Sequence, residues 1–151
     1  MEYRFVSEAV AFGSASDKKA ALAELSHVFA DAYDVDQASV EESLNRREEL
    51  GSTGFGRGIA IPHARIEGLK RPVAAFLKLA APIDFQAADT MPVELVFGLL
   101  SPVNCGAAHL HALAAISRSL RDEEWRQALV DAPDIASLRA LLIEVTSRDA
   151  A

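Results

Sequence analysis

The chain has 151 residues, half of them hydrophobic and a quarter charged, with a formal charge of −7 at pH 7. That length and balance suit one folded domain over residues 1–151 rather than a disordered chain, and the acidic total argues against binding nucleic acid or inserting at an anionic membrane surface, both of which run on lysine and arginine. The one cysteine, Cys105, can form neither an internal disulfide nor a zinc site; with no signal-peptide layout and no apolar run long enough to span a bilayer, a soluble cytoplasmic protein is expected.

Ala9–Phe12 reads as a short strand, broken by Gly13-Ser14-Ala15-Ser16. Ser16 or Asp17 is placed to N-cap a helix running to about Tyr33, whose apolar stripe is Leu22, Leu25, Val28, Phe29 and Ala32. A second helix, about Asp36 to Glu49, carries the dense charges of Glu41, Glu42, Arg46, Arg47, Glu48 and Glu49 and stops at Gly51. Gly51 to Gly58 holds four glycines in eight residues, too many for a regular helix or strand, and reads as a loop. Ile59-Ala60-Ile61 follows as a short strand stopped by Pro62. Val73–Leu79 and Val93–Leu100 read as longer strands, the second apolar enough to be covered on both faces. Helices over about Ala107–Leu120, Glu123–Val130 and Asp134–Val145 complete the chain. Helices before and after a block of strands can cover both faces of one sheet, which predicts a layered α/β domain.

The chemistry concentrates at His63. A glycine-rich loop, a three-residue strand and a proline precede it, so its backbone is held at a sheet edge and its imidazole is presented in one place. A neutral imidazole is a competent nucleophile toward phosphorus, and phosphoryl transfer needs little beyond positioning and charge stabilisation. The glycines let backbone N–H groups approach a phosphate, and Arg47 and Arg57 flank the loop with positive charge. The loop matches neither the P-loop nor the dinucleotide fingerprint, which excludes nucleotide binding on those patterns. On residue chemistry alone His63 also reads as an ordinary strand-end histidine.

The run Arg47-Glu48-Glu49-Leu50-Gly51-Ser52-Thr53-Gly54-Phe55-Gly56-Arg57-Gly58-Ile59-Ala60-Ile61-Pro62-His63-Ala64 closely resembles the active-site segment of the type-2 IIA family (fructose/mannitol/nitrogen) of the bacterial phosphotransferase system. The resemblance continues through Pro82-Ile83-Asp84-Phe85, Pro92-Val93-Glu94-Leu95-Val96-Phe97 and His109-Leu110-His111, covering about Ala9 to Val145, and is strongest to the stand-alone nitrogen-regulatory branch. It implies an α/β/α layered sandwich with a central mixed β-sheet of about five strands and helices on both faces. It implies a phosphotransferase component in which His63 accepts a phosphoryl group from a phosphohistidine of HPr or NPr, with no cofactor and no metal. Arg47 would offset the new charge, His109 would hydrogen-bond a phosphate oxygen, and Ser52, Thr53 and Arg57 match the phosphate-binding loop. An apolar rim of Phe55, Ile59 and Phe85 would dock the donor and exclude water. The output is expected to be regulatory, through binding of target proteins; the alternative is sugar transport, with the group passed to a separate IIB domain. The chain contains no IIB segment, which favours regulation.

Helical spacing tests His109 separately. In a helix over residues 107–120, Leu110, Leu113, Ser117 and Leu120 define an inward face with His109 near its edge, while His111 lies roughly 200° from His109 and points out. That picks His109 over His111 and disfavours a two-histidine metal site; were the segment a strand, the two would share a face. His109 can also be simply a hydrogen-bonded histidine at a helix start. A hydrolase or metal enzyme built on His63, His109 and a carboxylate finds no supporting motif.

Overall fold

The computed structural model describes residues 2–150, with side chains to residue 146; Met1 and Ala151, the ends of the expected domain, lie outside them. A short strand β1 (Val10–Gly13) leads into two helices, α1 (Lys18–Tyr33) and α2 (Gln37–Glu49). Asp17 starts α1 by accepting from the Ala20 amide at 2.8 Å, and Asp36 starts α2 by accepting from the Ser39 amide at 2.9 Å. In each case a carboxylate meets an amide that the first helical turn leaves unpaired. Five strands follow: β2 (Gly54–Gly56), β3 (Ile59–Ala60), β4 (His63–Ile66), β5 (Val73–Ile83) and β6 (Val93–Pro102). Helices α3 (Ala108–Leu120), α4 (Glu123–Asp131) and α5 (Ile135–Ala150) close the chain, the last two capped by Asp122 and Asp134. Among the described residues no helix is long and apolar enough to cross a membrane.

The sheet is mixed, in the order β1-β5-β6-β3-β2, with β4 also on β6. β5 and β6 form the antiparallel centre, while β1, β3 and β4 pair in parallel with them. Ile59 pairs with Leu95 and His63 with Leu99 in one unbroken register, so β3 and β4 are a single ladder interrupted at Ile61-Pro62. Six strands therefore fill the five expected positions. The sequence reading ended this strand at Pro62; the ladder instead resumes at His63, because Pro62 lacks only its amide and its carbonyl still accepts from the Leu99 amide at 3.0 Å.

The glycine-rich stretch also differs from expectation. Gly54–Gly56 pairs antiparallel with β3, with an irregularity between Gly54 and Gly56. The turn that follows takes positive φ at Gly56, Arg57 and Gly58. Glycine accepts that backbone freely, and Arg57 is held in it by Asp89, which accepts from its amide at 2.8 Å. The glycines thus build a tight hairpin rather than an irregular loop.

Strand alternation divides the core in two. Ala75, Leu77, Val96 and Leu100 face α1 and α2, where Leu25, Phe29 and Leu44 are fully buried. Phe76, Leu95, Phe97 and Leu99 face α3, α4 and α5, meeting Ile116, Leu120 and Leu129. Each such apolar side chain contributes roughly 1.5–3 kcal/mol by leaving water. On the α1-facing side of β6, between Val96 and Leu100, sits Gly98, and a Cβ there would lie 2.8 Å from both Leu25 Cδ2 and Phe29 Cε2. Gly98→Ala is therefore expected to lower the unfolding free energy by about 1–3 kcal/mol, the overpacking range, measured by urea denaturation.

Candidate functional site

The period of two along β3 and β4 places Ile59 and Ile61 in the α3-side core and Ala60, Ala64 and Ile66 in the α1/α2-side core. His63 shares the parity of Ile61 and so faces α3. Its backbone neighbours explain its ring. The Ile61 amide donates outward to the Thr53 carbonyl at 2.9 Å, whereas the Pro62 carbonyl accepts from β6 on the other side. The Ile61 carbonyl thus aims outward as well, past the end of β2, and accepts from His63 Nδ1 at 2.7 Å. A carbonyl can only accept, so Nδ1 carries the proton and the neutral ring keeps its lone pair on Nε2.

The second histidine comes from the first turn of α3. His109 is buried, and its ring centroid lies 5.7 Å from that of His63, the planes inclined by 47°. Its Nδ1 is 2.6 Å from Ser101 Oγ. The expected inward face of this helix is rotated. Leu110 is 63% exposed, and the buried side is His109, Ala112, Ala115, Ile116 and Leu120, with His109 central rather than marginal. Small alanines let the helix approach the sheet, and that contact, not the bulk of Leu110, sets the helix phase.

Both rings are held neutral. Burial lowers the pKa of His63 below the ordinary histidine value, and the Arg47 charge adds to this; the Ile61 carbonyl and Glu48 pull the other way. Burial, then the neighbouring His63 and Arg65, push His109 down to about 4.

The two rings open on a cleft of about 830 Å³ lined also by Arg46, Arg47, Glu49, Leu50, Arg65, Leu110 and Leu113. Three guanidinium groups stand against one carboxylate there. Arg47 sits in the last turn of α2 and uses one donor on the Gly51 carbonyl, 2.9 Å away, leaving most of its fork free. Arg46 is drawn toward Glu42 at 2.5 Å, and Arg65 lies 3.6 Å from Cys105 Sγ. Helix α3 begins without a side-chain cap, so its positive end adds to the field. The arrangement suits an anion beside a nucleophilic nitrogen. Among the described residues no three His, Cys, Asp or Glu side chains gather as a metal-binding group.

The remaining predicted residues are distributed differently. Ile59 and Phe85 are fully buried, one in each core, and offer no surface to a partner. Phe55 is half-buried against the α3-side core. Exposed Leu50 and Leu110 form the apolar rim instead. Arg57 lines a separate cavity with Glu123, Arg126 and Gln127, away from the histidines, because the left-handed turn carries it there. Ser52 donates to the Phe85 carbonyl at 2.6 Å. Thr53 gives both its amide and its hydroxyl to Glu48, each at 2.8 Å. These two hydroxyls are occupied in holding the loop. Glu48, one of the dense charges of α2, is the loop's anchor; its side chain is 6% exposed and 3.6 Å from Lys18. Arg65, Leu50 and Ser101 were also missed. Arg65 alone had a local signal, lying two residues beyond His63 on the same strand face.

The model of the family described as phosphoenolpyruvate-dependent sugar phosphotransferase system, EIIA 2, matches residues 5–145. The nitrogen regulatory protein of Bradyrhizobium diazoefficiens is 41% identical over 127 residues, covering 84% of this chain and 83% of that protein. The PTS system fructose-specific EIIA component of Haloferax volcanii is 38% identical over 129 residues, covering 85% and 84%. Among solved structures, the nitrogen regulatory protein IIA-Ntr of Neisseria meningitidis superposes with a TM-score of 0.83 at 32% identity, over 91% of this chain and 95% of that one.

The depressed pKa of His109 has a signed consequence. Between its unfolded value of about 6.5 and its folded value of about 4 the unfolded chain binds more protons, so stability falls as the pH drops through that window. His109→Gln, which cannot titrate, is expected to show a shallower fall in Tm from pH 6.5 to 4 than the unaltered protein; equal slopes would rule out His109 as the source.

Proposed function

Because the chain belongs to the phosphoenolpyruvate-dependent sugar phosphotransferase system EIIA 2 family, we propose that it is a phosphoryl carrier which accepts its group on Nε2 of His63 from the phosphohistidine of a phosphocarrier protein, HPr or NPr. The observation that carries this reading is the bond from His63 Nδ1 to the Ile61 carbonyl, which leaves Nε2 bare in an arginine-lined cleft. The Nε2 lone pair forms the new N–P bond as the donor's N–P bond breaks, and that electron pair stays with the donor ring. The proton on Nδ1 remains in its bond to Ile61, so the acceptor requires no general base.

The transferred group adds about two negative charges. Arg47, held at the end of α2, offsets them with its free donors, and Arg65 and Arg46 extend the positive field. The donor protein docks on the aliphatic rim, where Leu50 is 85% exposed and Leu110 is 63% exposed. Exposed apolar side chains around a charged centre fit a protein partner better than a small molecule. This exchange takes place in the cytoplasm, and the output is regulatory, as the likeness to nitrogen regulatory proteins favours. The fructose-specific relative supports a second reading, in which a IIB domain takes the group for sugar uptake.

Incubation with phosphoenolpyruvate, enzyme I and each carrier, followed by intact mass, should show one acid-labile phosphoryl group on the protein and none on His63→Ala; stoichiometric labelling of that variant would refute the assignment. Arg47→Ala should slow labelling on the order of 10²–10³-fold, the usual effect of removing a charge-stabilising donor. Leu50→Gln with Leu110→Gln, which removes the apolar rim without adding charge to the cleft, should raise the apparent KM for the phosphocarrier while leaving labelling by the small donor phosphoramidate unchanged.

A further inference from the structure

We infer that Ser101 is a positioning residue: its buried hydroxyl donates to Nδ1 of His109, so that His109 carries its proton on Nε2 and offers a hydrogen-bond donor to the phosphoryl group on His63. The inference rests on the carrier reading above for its use, but not for its geometry.

Ser101 lies near the end of β6, opposite Arg65 in the ladder, and is completely buried. Among the described residues its hydroxyl has one hydrogen-bond partner, His109 Nδ1 at 2.6 Å. At neutral pH the His109 ring is uncharged and holds one proton. Two arrangements are available. If Nδ1 held that proton it would donate to Ser101 Oγ, and the serine O–H would then be a buried donor with no acceptor, an arrangement native interiors avoid. If the serine donates to Nδ1, both groups are satisfied and the ring proton must sit on Nε2. The second arrangement is the one the burial selects.

The two site histidines are thereby set to opposite tautomers by partners of opposite character. His63 faces a carbonyl, which can only accept, and keeps a bare Nε2. His109 faces a hydroxyl with nowhere else to donate, and keeps a protonated Nε2. One ring is a nucleophile and the other a donor, from the same side-chain chemistry. The polar atom that decides this sits in a strand whose positions from Leu95 to Leu100 are all apolar and buried.

The test is long-range proton–nitrogen NMR of the imidazoles at pH 7 in the unphosphorylated protein. The result expected is a proton on Nδ1 of His63 and on Nε2 of His109. In Ser101→Ala the His109 nitrogens should move toward a mixture of tautomers while those of His63 stay, and labelling by the phosphorylated carrier should slow roughly tenfold, the lower end for loss of an orienting partner. Ser101→Thr, which restores a hydroxyl on a strand that accepts β-branched residues, should recover the single tautomer. A proton on Nδ1 of His109 in the unaltered protein, or unchanged His109 nitrogens in Ser101→Ala, would overturn the inference. Failure of the unaltered protein to be labelled on His63 would refute the carrier reading instead, and leaves the nitrogen measurement standing.

Discussion

The site depends on one hydrogen bond within a single chain segment, from the His63 ring to the carbonyl two residues before it. That carbonyl is available because the ladder is interrupted. β2 ends at the level of Ala60, and Pro62 turns its own carbonyl to β6, so Ile61 is left with an outward acceptor and no strand to meet it. A buried carbonyl needs a partner, and the imidazole supplies one. The same contact fixes the tautomer, aims the free nitrogen and anchors the ring to the sheet.

Around that bond, local charge overrides the charge of the whole. The protein is acidic, yet the cleft gathers three arginines and the uncapped start of α3. Screening in cells limits exposed charges to about 8 Å, so an incoming anion responds to this cluster rather than to the distant carboxylates. The arginines and the burial act on the histidines in one direction, disfavouring imidazolium. A cationic ring would bind phosphate well and attack it poorly; the fold has placed the positive charge on guanidiniums, which cannot lose it, and has left the rings neutral.

The loop before β3 serves the same end indirectly. Glu48 is a buried carboxylate whose oxygens accept from both the amide and the hydroxyl of Thr53 while Lys18 stands nearby. This network fixes the chain between α2 and β2, including the Gly51 carbonyl on which Arg47 rests. The conspicuous polar residues of the loop therefore hold the arginine in place from behind, and the exposed apolar side chains beside the cleft are Leu50 and Leu110, which a hydrophobicity pattern would assign to a core.

The elements were legible because their causes are local. Aspartates at 17, 36, 122 and 134 meet amides three residues on, apolar stripes recur at helical spacing, and the α/β layering with helices on both faces follows from that order. His63 and Arg47 fall on one cleft, and a motif of contiguous residues carries both. Ile59 and Phe85 were misplaced on a rim, Arg57 was given to the wrong cavity, and α3 was turned so that Leu110 faced inward. Each of those depends on a phase or a meeting that spacing leaves open: a helix of known period can dock in any rotation, and a turn of three left-handed residues redirects whatever side chain it bears. Residue order along one segment sufficed for the nucleophile and its backbone, because a proline and a carbonyl two residues away act through covalent geometry. The meeting of His109 with His63, its contact with Ser101, and the aliphatic rim came from the pairing of β4 with β6 and the seating of α3, contacts between residues far apart in sequence that exist only once the core has closed.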